Sequence, residues 1–202
     1  MRAEQDKFTA ADILVGQIRQ IKPDIVITHT PRDVYMSDHE AAKWIVTHAL
    51  FCAMLPNYNP SERTEDIRTR GESILPGYTY CLQSERGKRF SLPALYYGDL
   101  FPGYDIFGKE QDPTFRVDIS STMGTKVNML LEHKSQGAWL KAGHGDSDYI
   151  KTAREWNKRV GLVVGVEYAE AFLRHKGAPY PRDLRLEKLL GDYVKYYQSQ
   201  DN

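Results

Sequence analysis

A helical pattern runs without pause into a short β-branched run, and this junction limits the architecture of the chain more than any other stretch. Residues 10–21 place Ala11, Leu14, Ile18 and Ile21 at three- and four-residue steps, and Lys22-Pro23 ends that amphipathic helix. Asp24-Ile25-Val26-Ile27-Thr28-His29 follows at once, short and apolar enough for a buried strand. A turn-like stretch, Thr30-Pro31-Arg32-Asp33, leads to Ser37-Asp38-His39-Glu40, which has the spacing of a capping box, with serine at N-cap and glutamate at N3. Ile45, Ala49, Cys52 and Ala53 then continue a helical stripe. Helix, strand, polar loop, helix is the order that builds an α/β fold with a mostly parallel sheet flanked by helices.

Downstream, residues 56–90 are rich in turn formers and charge, the pattern of a long surface excursion. Residues 93–99 and 115–119 read as further strands, and Ser120 or Ser121 is placed to cap the helix carrying Met123, Val127, Leu130 and Leu131. Helical patterns recur near 147–159 and over 183–197, and one domain, residues 1–202, accommodates all of this.

Composition excludes several function classes. Lys plus Arg number 27 and Asp plus Glu 27, so the net charge is zero. A neutral chain gains little from counterion release, which argues against nucleic acid as a partner and against an anionic membrane surface. No apolar run approaches a membrane span, and residues 1–7 carry no signal-peptide core, so the expected location is cytoplasmic. Two cysteines, Cys52 and Cys81, are too few and too isolated for a disulfide framework or thiolate zinc site, and each reads as a small buried residue.

Ligands of a parallel sheet collect at the carboxyl ends of its strands. The loop after the first strand occupies that position and gathers His29, Arg32, Asp33, Tyr35, Asp38 and His39 within eleven residues. His39, in the first turn of the next helix, can point a ring nitrogen at a metal, with Asp38 accepting its other N–H. Alternatively Asp38 only complements the helix dipole and His39 is a polar surface residue. His133 is either a hydrogen-bonded core histidine or part of the site wall. His48, nine residues from His39, lies on another part of the helix, and His144 reads as a loop residue. No His-Glu-x-x-His, phosphate-binding glycine loop or Gly-x-Ser-x-Gly elbow occurs.

Five blocks in order resemble one family. The run from Pro23 to His29, then Asp33, then Tyr35-Met36-Ser37-Asp38-His39, is similar to the second motif of the LmbE-like (PIG-L) zinc-dependent N-acetylglucosaminyl deacetylases. Leu95-Tyr96-Tyr97 and Val117-Asp118-Ile119 match later strands, Lys126, His133, Ser135 and Gln136 match a Lys-x6-His-x-Ser-Gln helix, and residues 168–172 match a Tyr-Ala-Glu-x-Phe block. Read without the resemblance, residues 168–172 are an aromatic-anchored helix end, with Glu170 facing polar neighbours.

The resemblance implies a Rossmann-like layer, an amino-sugar substrate and a zinc hydrolase that removes an N-acetyl group, with His39 as one zinc ligand and Asp38 its partner. Asp38, His29 and His133 become catalytic candidates; Arg32, Asp33 and Tyr35 become substrate-binding candidates. Two features depart from the family pattern. No His-Pro-Asp-Asp-Glu motif, which carries the other two zinc ligands and the general base, occurs in the 202 residues. The sequence therefore reads as the C-terminal two thirds of such a domain, N-terminally truncated and unable to close the zinc site alone. Met36 stands where many members have an oxyanion-stabilising histidine, and a thioether cannot donate a hydrogen bond. Other expectations remain beside this one: a non-catalytic binding or assembly protein on the same scaffold, and a metal held by His29, Asp33 and His39 alone. A shortened sheet exposes an edge near Ile25, so a homo-oligomer is expected.

Overall fold

The computed structural model describes residues 2–31, 33, 36–55, 58, 91–99, 101, 103–105, 107–135, 137, 140 and 149–197, with side chains in the first helix from Phe8 onward. The excursion expected over residues 56–90, together with Cys81, Gln136 and His144, lies outside the described residues apart from Tyr58.

In chain order the described elements are helix α1 (Arg2–Ile21), strand β1 (Ile25–Thr28), helix α2 (Ser37–Ala53), strands β2 (Ala94–Gly98) and β3 (Phe115–Asp118), helices α3 (Met123–Leu131) and α4 (Tyr149–Leu162), strand β4 (Ala169–Arg174), helix α5 (Arg185–Leu190) and strand β5 (Val194–Lys195). They fall into two compact units: Met1–Tyr97 with Arg174–Arg185, and Gly98–Leu173 with Leu186–Asn202.

In the first unit β1 and β2 pair in parallel, with Ile25 opposite Ala94 and Thr28 opposite Tyr97. The backbone N–H of His175 adds a bond to the Leu95 carbonyl at 2.9 Å. Helices α1 and α2 pack on each other, burying Ala11, Val15 and Ile18 against a core that includes Ala49, Leu50, Cys52 and Ala53. The stripe read over residues 10–21 is thus the buried face of α1, although Ile21 itself is exposed.

Arg19 carries this packing to the end of α2. Its guanidinium donates to the carbonyls of Ala53 (3.1 Å), Cys52 (3.2 Å), Leu55 (2.8 Å) and Tyr58 (2.9 Å). A helix leaves its last carbonyls without intrahelical donors, and a cation there also opposes the negative end of the dipole. Asp12, wholly buried on α1, accepts the Tyr58 hydroxyl, and burial beside that carboxylate raises the Tyr58 pKa. Cys52 is buried as its composition suggested.

The second unit corrects the expectation of a mostly parallel sheet. The α/β class holds, but β3 pairs antiparallel with both β4 and β5. Asp118, the last residue of β3, is opposite Ala169, the first of β4, and the Ile119 N–H bonds the Tyr168 carbonyl at 3.0 Å. The chain therefore returns to the same end of the sheet that it left, and the next strand has to run the other way.

Residues 169–172 are accordingly strand and not helix end, with Tyr168 in the bend that leads into it. Ala169 and Ala171 are buried while Glu170 and Phe172 are less so, the two-residue period of a strand. Val160 and Trp156 of α4 pack on those two alanines. The Asn157 amide donates to the Ala169 carbonyl at 2.9 Å. Glu170 meets Lys126 of α3 at 2.5 Å, so it does face a polar neighbour.

Ser120 does not cap α3, whose N-cap is Thr122. Its hydroxyl instead ties Asp118 (2.6 Å) to the Tyr168 N–H (3.1 Å) at the corner between β3 and β4. The helical stripe expected over 183–197 stops at Leu190, because Gly191 adopts φ +54°, the left-handed conformation that ends helices.

Candidate metal centre

The site grows from the carboxyl end of β1. His29 is the first residue beyond that strand, Asp33 lies in the following loop, and His39 is the third residue of α2. Met36, with extended backbone (φ −126°, ψ 113°), is the N-cap residue of α2, and its side chain makes no capping bond.

The expected Ser37/Glu40 capping box is not formed. Asp33 accepts the Met36 N–H on Oδ1 at 3.0 Å, and its Oδ2 lies 2.8 Å from His39 Nδ1. An ionised carboxylate is a stronger acceptor than a serine hydroxyl, and the positive end of the helix dipole favours its charge. The sequence offered Asp38 as the orienting partner of His39; the structure gives that place to Asp33. Asp38, next in sequence to His39, is exposed on the first turn of α2. Asp33, expected on the substrate wall, has both oxygens engaged in holding the loop and the ring.

His29 stacks on His39, with ring centroids 4.0 Å apart and planes 9° from parallel. Partial burial first, and the neighbouring imidazole second, lower the His29 pKa against the opposing pull of Asp33 and Asp38. That direction favours the neutral imidazole, the form that ligates metals.

One atom from each of His29, Asp33 and His39 falls within a 4.8 Å group, so the structure brings together the three residues of the alternative metal reading. Two imidazoles and a carboxylate are a donor set that suits zinc. With Nδ1 of His39 bound to Asp33, Nε2 is its free coordinating atom, the usual carboxylate–histidine–metal arrangement. An imidazole binds a metal in its own ring plane, and stacked rings share no such point. Joint ligation therefore needs His29 to turn about its side-chain bonds.

The remaining candidates divide plainly. Arg32 and Tyr35 lie outside the described residues. His133 belongs to the second unit, where it is exposed just past the end of α3, which removes the reading of a core histidine. Its N–H bonds the Leu130 carbonyl at 3.1 Å. His48 stacks on Trp44 at 4.8 Å and lies 3.4 Å from the Cys52 sulfur, as a residue of the α1–α2 packing.

One group escaped the sequence. Tyr97 on β2 pairs its hydroxyl with His175 Nδ1 at 2.7 Å, and Tyr180 packs on the same imidazole at 4.4 Å. Nothing in the spacing of residues 97, 175 and 180 announces this; only the strand register and the loop after β4 bring them together.

No family model matches the chain, and no curated protein sequence does. Solved structures do. A conserved protein from Thermus thermophilus aligns over 86% of this chain with TM-score 0.53 and 19% identity. The N,N'-diacetylchitobiose deacetylase of Pyrococcus horikoshii aligns over 90% with TM-score 0.52 and 19% identity. The 4-carboxy-2-hydroxymuconate hydratase of Pseudomonas putida aligns over 86% with TM-score 0.49 and 19% identity. The chain spans 63%, 55% and 59% of those three proteins respectively. At such identity the likeness is one of fold.

Proposed function

We propose that this chain carries the site of a zinc-dependent hydrolase that removes the N-acetyl group from an N-acetylglucosamine-type sugar conjugate. The observation that carries the reading is the His39 ring, held through Nδ1 by Asp33 so that Nε2 is free at the carboxyl end of β1. The fold likeness to a chitobiose deacetylase and the ordered resemblance of five sequence blocks support it.

In this reading His39 would hold zinc through Nε2, with His29 as the second imidazole and Asp33 fixing the first ring. Zinc bound there supplies a Lewis acid that polarises the acetyl carbonyl and acidifies a water. Arg32 and Tyr35, outside the described residues, belong to this proposal as substrate-binding residues. Asp38 contributes negative charge at the start of α2 and near His29. The single-domain reading of residues 1–202 and a cytoplasmic location belong to the same proposal. Among the described residues, no helix is long and apolar enough to cross a membrane.

A second reading, a metal-free binding or assembly protein on this scaffold, is favoured by the stack itself, since two face-to-face imidazoles form a settled pair without an ion. Zinc titration of the chain and of His39→Ala, with acetate release from N,N'-diacetylchitobiose, separates the two. Zinc binding lost with His39 supports the hydrolase. Equal behaviour of both proteins supports the scaffold.

A further inference from the structure

Tyr97, paired with His175, lies near the carboxyl end of β2, the strand that pairs with β1, and β1 leads into the proposed site. Tyr97 is opposite Thr28 in the parallel register, and His29 is the next residue. Adjacent strands lie about 4.8 Å apart and successive Cα atoms 3.8 Å, so the Tyr97 Cα is within roughly 9 Å of the His29 Cα. Tyr180, which packs on the His175 ring, reaches the Thr47 carbonyl of α2 at 3.5 Å, on the helix whose first turn carries His39.

Resting on the hydrolase reading above, we infer that His175 is the proton-transfer residue of this site and Tyr97 its positioning residue. With Nδ1–H donating to the Tyr97 oxygen, Nε2 is the nitrogen that gains and loses the proton. Neutral Nε2 takes a proton from water as the water oxygen bonds to the acetyl carbon. It returns that proton to the sugar nitrogen as the C–N bond breaks and its electron pair passes to nitrogen.

Two features suit the ring to this work. A phenol partner, unlike a carboxylate, does not pull the imidazole towards its charged form, and burial holds the His175 pKa below its ordinary value. Burial also pushes Tyr97 up to about 12, so the phenol stays neutral throughout the working range. Gly177 lies against the Nε2 edge, and a Cβ there would stand 2.9 Å from that nitrogen. Among the described residues, Tyr97 from β2 and Tyr180 from the ring's own loop are the titratable groups that face it.

The test uses the 202-residue chain with zinc added, labelled with 15N-histidine, and glucosamine as the probe amine. Glucosamine is expected to shift the His175 Nε2 resonance, and Gly177→Ala, which sets a methyl against that atom, to abolish the shift. Tyr97→Phe is expected to move the His175 titration midpoint, a change that a purely structural tyrosine would not produce. His175→Gln is expected to bind zinc like the parent chain and to lose roughly a hundredfold or more in acetate release from N-acetylglucosamine. Unmoved His175 resonances in a zinc-loaded chain overturn the inference, as does an unchanged rate in His175→Gln. Zinc uptake that survives His39→Ala overturns the metal reading instead, and the His175 resonances report on their own question in that case too.

Discussion

His39 Nδ1 lies 2.8 Å from Asp33 Oδ2, six residues earlier in the chain, and the other oxygen of the same carboxylate holds the Met36 N–H. One acidic side chain thus sets both the start of α2 and the ring that α2 presents. Carboxylates placed behind a ligating histidine fix its tautomer and raise its basicity. Asp33→Asn is therefore expected to weaken zinc binding by roughly ten- to a hundredfold. Isothermal titration of the variant beside the parent chain measures it, and equal affinities would show that the ring needs no such support.

Arg19 gives a stability prediction. Its guanidinium is donor to four carbonyls at and just beyond the end of α2, a fork that only arginine's geometry supplies. Arg19→Leu takes one donor from each carbonyl in a part-buried setting, where among the described residues only those of Cys52 and Leu55 keep backbone N–H partners, at a cost of about 3 kcal/mol. Urea unfolding reads the loss, and Arg19→Lys is expected to recover only part of it, because one ammonium cannot span the fork.

Lys126 and Glu170 join two of the sequence blocks that pointed to the family, yet both side chains keep about a third of their surface in water. Screening at such a site holds the pair to roughly 0–1 kcal/mol. A double-mutant cycle of Lys126→Met and Glu170→Gln is expected to return a coupling in that range. A coupling of several kcal/mol would mean that the pair is far better shielded than its exposure indicates.

Acid is expected to destabilise the chain in two stages. His29 and His175 both have pKa values lowered by burial, so between those values and the ordinary 6.5 the unfolded chain binds more protons than the folded one. Stability from this source is complete above about pH 6.5 and falls as the pH drops towards the folded values. Asp118 is lowered chiefly by the Ser120 hydroxyl, so its contribution persists to lower pH and is lost as the pH falls through its folded pKa, below about 3.9. Thermal melts from pH 8 to pH 3 follow both stages. Asp118→Asn is expected to remove the second and keep the first.

Much of the architecture was legible because it rests on local periodicity. The helical step over residues 10–21, the β-branched run after it and the apolar stretch at 94–98 each declare their element without tertiary help. What could not be read depends on where the chain turns back. Residues 168–172 read as a helix end until Asp118 and Ala169 are seen side by side. Asp33 is visible as a loop residue, but its pairing with His39 depends on a backbone that no spacing rule describes, whereas Asp38 is adjacent to His39 in sequence. Tyr97 and His175 are 78 residues apart and had no sequence signal at all.

β1 offers Ile27, half exposed on a strand expected to be buried. With Ile21 also exposed, self-association of the chain into a homo-oligomer is the expected outcome. Light scattering across a concentration series checks it, and a monodisperse monomer throughout would refute it.

Zinc titration of the parent chain beside His39→Ala shows whether this imidazole holds the metal. Reversible binding of one ion by the parent chain and none by the variant is expected, with both proteins equally folded. Identical isotherms for the two would contradict it.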